Sequence, residues 1–74
     1  MSDMNRETGK IIFFDEEKGF GFIKSDSPDQ KENIFLHKSK IKTVGVTTME
    51  KGTEVEFITQ NEEKGPAALE VTVA

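Results

Sequence analysis

The stretch Lys18-Gly19-Phe20-Gly21-Phe22-Ile23 constrains the fold more than any other in this 74-residue chain. Two phenylalanines stand at i and i+2, each preceded by a glycine. In an extended strand this spacing places both rings on one face, with bare backbone around them. Such a pair serves either as half of a hydrophobic core or as a platform on which nucleic-acid bases stack.

The apolar inventory bears on that choice. A chain of 74 residues suits one domain, and one this small buries only about 60% of the surface its unfolded chain exposes. There is no cysteine to form a disulfide or a thiolate metal site, and hydrophobic residues make up 34% of the chain. An exposed ring is therefore taken from a thin core. No apolar run approaches the roughly 18 residues of a membrane span, and Met1 to Thr8 lacks the apolar stretch of a secretory signal. A cytoplasmic protein with no membrane partner is the expectation.

The rest of the chain reads as β-structure. Residues 1–7 have no periodic apolar pattern and are expected to form a flexible tail, with the domain over 8–74. Ile11-Ile12-Phe13-Phe14 breaks strict alternation, which suggests a bulge in a first strand over 9–15 or a strand contacted on both faces; a bulge is favoured, since a small barrel must bend its first strand. Asp15 to Gly19 is a turn by composition, leading into a second strand over 18–25. Asn33 to His37 alternates cleanly, with Ile34 and Leu36 toward the core and Phe35 and His37 opposite. Lys38 to Met49 is irregular, with room for one helical turn at 39–41. A fourth strand over 53–59 turns Val55 and Phe57 inward, with Ile58 outward or at an edge. After a turn at 61–66, a fifth strand over 67–73 places Leu69, Val71 and Val73 on one face. Five short strands and no helix of ordinary length predict an all-β fold, a small antiparallel barrel or sandwich, with closure favoured because it removes exposed edges.

The net charge of −4 argues against a phosphate binder if taken alone. Its distribution softens that objection. Residues 10–42 carry seven lysines against six acidic residues, while residues 43–74 carry two lysines against six glutamates. The net excess of acid lies outside the aromatic half.

The block at 18–23 matches six consecutive positions of the first ribonucleoprotein motif, with Ile23 where that pattern has valine. In the RNA-recognition motif the partner aromatic strand precedes this block, with helices between. Here the partner candidate, Ile34-Phe35-Leu36-His37, follows it across a short loop. That order fits a different family. Over about Thr8 to Thr72 the chain resembles the bacterial cold-shock domain, through Thr8-Gly9-Lys10, Phe14-Asp15, Lys18 to Ile23, Ile34 to His37 with Ser39, Gly52, Lys64-Gly65-Pro66-Ala67-Ala68 and Val71-Thr72. The resemblance implies a five-stranded antiparallel oligonucleotide-binding (OB-fold) barrel. It further implies binding of single-stranded RNA and single-stranded DNA with low sequence preference, as an RNA chaperone or an antitermination or translation factor.

Every base has a π-face, so a row of rings binds single strands at about 1–3 kcal/mol per stacked base. Phe20, Phe22 and Phe35 are the first candidates. Phe13 stands where the family usually has tryptophan. Phe14 is a partial contact or a core residue. His37 can stack, or pair with phosphate when charged. Lys10, Lys18 and Lys64 flank the rings, and Lys38 is a further candidate. Three departures shrink the platform: Lys38 falls where the family has another ring, Val46 near where the next loop often supplies one, and Ile12 replaces a lysine. Weaker binding, or fewer bases covered, is the expectation.

With one histidine and no cysteine, no metal site or cofactor is expected. No nucleophile stands beside a base and no phosphate loop is present, so an enzyme is not expected. A monomer is. The competing reading is an OB-fold protein-interaction module with weakened nucleic-acid binding.

Overall fold

The computed structural model describes residues 6–43, 45 and 49–74. The expectations for residues 1–5 and for Val46 lie outside these described residues. Five strands, β1 (Glu7–Asp15), β2 (Phe20–Ser25), β3 (Ile34–His37), β4 (Glu54–Glu62) and β5 (Gly65–Val73), close into a barrel in the order β1-β2-β3-β5-β4. A single 3-10 turn over Lys38–Lys40 follows β3, one residue earlier than expected. The all-β barrel is as expected, with one refinement: β3 and β5 pair in parallel, at Phe35 and Ala67. A bridge between Ile41 and Val71 extends that seam.

The expected bulge in β1 falls at Ile12. Ile11 pairs with Ile23 and Phe13 with Phe22, so Ile12 has no partner in β2. This extra residue decides which way the aromatics face. Without it Phe13 would share the inward face of Ile11, which is 1% exposed; with it Phe13 turns out, at 44% exposure. Phe14 then turns back, opposite Gly21, and packs against the core.

The core consists of Ile11, Ile23, Ile34, Leu36, Met49, Val55, Phe57, Ala68 and Val71. Two members depart from the sequence-based expectation. Met49 comes from the irregular stretch, where no periodicity marks it. Ala68 takes the place assigned to Leu69, which is half-buried, while Val73 is 40% exposed at the end of its strand. The cause is a second bulge. Glu56 pairs with Thr72 and Ile58 with Leu69, so Glu70 and Val71 together face Phe57. Alternation in β5 is broken there, and one residue of that pair must leave the extended region.

That residue is Glu70, the one non-glycine at positive φ among the described residues, at 50°. A left-handed conformation costs an ordinary L-residue about 1–2 kcal/mol. Arg6 clamps this bulge: Nη1 donates to the Glu70 carbonyl at 3.1 Å, Nη2 donates to Thr72 Oγ1 at 2.9 Å, and Nε lies 3.7 Å from Glu56 Oε1. Arg6 and Glu7 thus join the barrel, one or two residues ahead of the expected boundary. Asparagine tolerates the left-handed region better than glutamate. Glu70→Asn keeps the backbone carbonyl for Arg6 and is expected to stabilise the domain by about 0.5–1 kcal/mol, a rise of a few degrees in Tm. Thermal unfolding followed by circular dichroism checks this; an unchanged or lower Tm would mean that Glu70 carries no strain.

Candidate nucleic-acid interface

Strand β2 lies between β1 and β3, and its pairings set out the surface row by row. Phe20 is flanked by Asp15 and His37, Phe22 by Phe13 and Phe35, and Lys24 by Lys10 on the β1 side. Gly21, Ile23 and Ser25, the alternate positions of β2, are buried. One face of β2 therefore builds the barrel and the other carries the aromatics.

Four rings touch in one cluster. Phe22 is its centre, with ring centroids at 6.4 Å from Phe13, 6.4 Å from Phe20 and 5.9 Å from Phe35. Phe20 lies 5.8 Å from Phe35 and 6.3 Å from Phe13. The rings fall into two near-parallel pairs, Phe13 with Phe22 at 22° and Phe20 with Phe35 at 29°, and the pairs stand steeply to each other, at 72–84°. Phe13 and Phe35 are exposed, at 44% and 38%, and Phe20 and Phe22 are half-buried. None of the four belongs to the buried core cluster.

The turn from β1 to β2 fixes one end of the platform. Asp15 accepts from the Gly19 N–H through its carbonyl at 2.7 Å and from the Lys18 N–H through Oδ1 at 3.0 Å. Gly19 takes φ of 76°, a conformation that suits glycine. Its carbonyl accepts from the Lys38 N–H at 2.8 Å, which docks the start of the 3-10 turn on this hairpin. The aliphatic stem of Lys38 lies across Gly19, with Cδ 3.0 Å from where a Cβ would stand. Lys38 thus covers the end of the platform with methylenes and brings an ammonium group. Beside it, the Ser39 N–H donates to His37 Nδ1 at 3.1 Å. With that lone pair occupied, the neutral ring carries its proton on Nε2, which is left as a donor.

The opposite end is less open to phosphate than the sequence suggests. Lys10 Nζ lies 3.4 Å from Asp26 Oδ1 and 4.0 Å from Glu54 Oε2, and Asp26 also accepts from Thr8 Oγ1 at 2.9 Å. A phosphate would have to compete with two carboxylates for this ammonium. Lys24 was not singled out from the sequence, yet it shares the face of Phe20 and Phe22. The signal was available, since Lys24 follows Phe22 by two residues on an alternating strand. Among the described residues Lys24 takes part in no ion pair.

The structure thus brings together Phe13, Phe20, Phe22, Phe35 and His37, with Lys18 and Lys38 at one end. Phe14 stands apart, packed on the core. Lys64 lines a cavity of about 390 Å³ between the platform and the β4–β5 hairpin, together with Phe22, Phe35, Glu62, Gly65, Pro66 and Ala67. No group of three or more His, Cys, Asp or Glu able to hold a metal ion occurs among the described residues. Among them, too, no helix is long and apolar enough to cross a membrane.

The family model described as 'Cold-shock' DNA-binding domain matches residues 7–74. The chain belongs to the cold-shock family. Cold shock-like protein CspC of Shigella flexneri is 42% identical over 69 residues, which cover 93% of this chain and 97% of that one. Cold shock protein CapB of Pseudomonas syringae pv. tomato is 39% identical over 69 residues, covering 93% and 96%. Among solved structures, the chain described as drosophila Unr CSD456 superimposes with a TM-score of 0.76 at 23% identity, over 95% of this chain and 27% of that one. This last likeness concerns the fold. The family is a nucleic-acid-binding one.

Proposed function

We propose that this cold-shock domain binds single-stranded RNA and single-stranded DNA with low sequence specificity, as a monomer in the cytoplasm, and serves as an RNA chaperone or a regulator of transcription antitermination or translation. Bases stack on Phe13, Phe20, Phe22 and Phe35. His37 donates through Nε2, and Lys18, Lys24, Lys38 and Lys64 serve phosphates and sugars. One observation carries this reading: four contiguous rings sit outside the cluster of buried residues that forms the core. In a domain with so little apolar material, leaving them out calls for a use other than packing.

Few lysines line the face, and Lys10 is held by Asp26 and Glu54, so affinity rests on stacking more than on phosphate neutralisation. Dissociation constants in the micromolar range are expected for a uracil or thymine heptamer at physiological salt, with a shallow salt slope. An NMR titration of labelled protein tests this. Shift changes should concentrate at residues 13, 20, 22, 35 and 37 with single strands and be near absent with duplex. An intact fold that shows no change with any single strand would favour the protein-interaction reading instead.

A further inference from the structure

We propose that the cavity between the platform and the β4–β5 hairpin is a base-selecting site that prefers guanine, with Glu62 as the residue that reads it. This rests on the single-strand reading above and adds one selective position to an otherwise sequence-tolerant surface. The cavity, about 390 Å³, is of a size that takes a small ligand, here a base with part of its sugar. Its walls differ from the rest of the face. Phe22 and Phe35, at 72° to each other, offer a ring face and a ring edge, and Pro66 and Ala67 complete an apolar floor. Ala67, paired with Phe35 and buried, has no polar side-chain atom to address a base edge. Side-chain hydrogen bonding falls to Glu62 and Lys64.

Those two flank the hairpin turn. Glu62 pairs with Gly65 at the mouth of the turn, and Lys64 lies within it. Both are exposed, and among the described residues neither takes part in an ion pair. A carboxylate accepts only, and an ammonium donates only. The Watson–Crick edge of guanine presents an acceptor, O6, beside two adjacent donors, N1–H and N2–H. It is the one base edge that gives a carboxylate two neighbouring donors and still leaves an acceptor for an ammonium. Cytosine and adenine offer the carboxylate one amino group beside an acceptor. Uracil and thymine set their single N–H between two carbonyls, which a carboxylate repels. In a single strand this edge is free to be read.

The test compares uracil heptamers with and without one central guanine, cytosine or adenine, by anisotropy of a labelled strand. A sequence-tolerant platform lets the strand slide until the substituted base meets the cavity. The guanine heptamer is expected to bind about five- to tenfold more tightly than all-uracil, the low end of what a bidentate base contact supplies, because the site opens to solvent. In Glu62→Ala that ratio should fall below about twofold, with all-uracil binding unchanged or stronger for loss of a negative charge near the backbone. Glu62 is exposed, and a thermal melt of the variant confirms the fold. Equal binding of guanine and uracil heptamers, a preference for cytosine or adenine, or a guanine preference that survives in Glu62→Ala would each overturn the assignment while leaving single-strand binding in place. Binding of none of the heptamers would sink the broader reading, and this one with it.

Discussion

Alanine at Phe22 is expected to weaken single-strand binding by about 1–3 kcal/mol, at the upper end of that range, and to leave the barrel folded. Phe22, like Phe20, touches the other three rings, so its loss removes a stacking face and side support of Phe13, Phe20 and Phe35 together. It is half-buried yet outside the core cluster, so the cost to stability should be a fraction of a buried Phe→Ala change, which runs to about 3–5 kcal/mol. Phe22→Leu separates bulk from π-face: stability near the parent, binding nearly as weak as alanine. The measurements are anisotropy with a labelled heptamer and urea denaturation. A Phe22→Ala protein that unfolds, or one that binds as tightly as the parent, would contradict the platform role.

The adjacent residue should behave in the opposite way. A Cβ on Gly21 would stand 2.7 Å from Phe14 Cα and 2.8 Å from its Cδ1, and it would clash outright with the Phe13 carbonyl oxygen. Two of these are backbone atoms and cannot swing aside. Relief requires β1 to move off β2, at the point where Phe14 pairs with Gly21 beside the Ile12 bulge. Gly21→Ala is expected to cost about 3 kcal/mol or more, a large part of the stability of a domain this size. Denaturation midpoints report it directly; a midpoint close to the parent would mean that the two strands are more loosely joined than their geometry implies. Neighbouring positions of one motif are thus expected to divide the work, with Phe22 for the ligand and Gly21 for the strand pairing that presents it.

How far each part was legible in the sequence depends on how locally it is determined. The faces of β2 and β3 follow from strict alternation, and Phe20, Phe22, Phe35 and His37 lie on the expected side. The bulge at Ile12 left a trace, because four consecutive apolar residues cannot alternate. The bulge at Glu70 left none. Glutamate is an unusual choice for a left-handed position, and the clamp that supports it comes from Arg6, 64 residues away. Reading β5 as a regular strand therefore put Leu69 in the core. Lys10 was read by its charge alone; its tie to Asp26 spans 16 residues and exists only once β1 and β2 pair. The cavity at Glu62 is likewise made by tertiary structure, where the hairpin of β4 and β5 leans over Phe22 and Phe35.

The steep angle between the two ring pairs has a mechanical consequence. Bases lying flat on Phe22 and on Phe20 have planes about as far from parallel as the rings themselves, 84°. They cannot also lie flat on each other. A strand seated on this surface gives up its own continuous stack, and with it the helical geometry that a complementary strand needs for annealing. The barrel would then act on folded transcripts as a trap for frayed segments. Under the proposed function, each opening of a hairpin would expose nucleotides for the rings to hold apart, and dissociation would return them unchanged. Such melting would draw on protein concentration in place of nucleotide hydrolysis, and it would reverse when the protein is diluted.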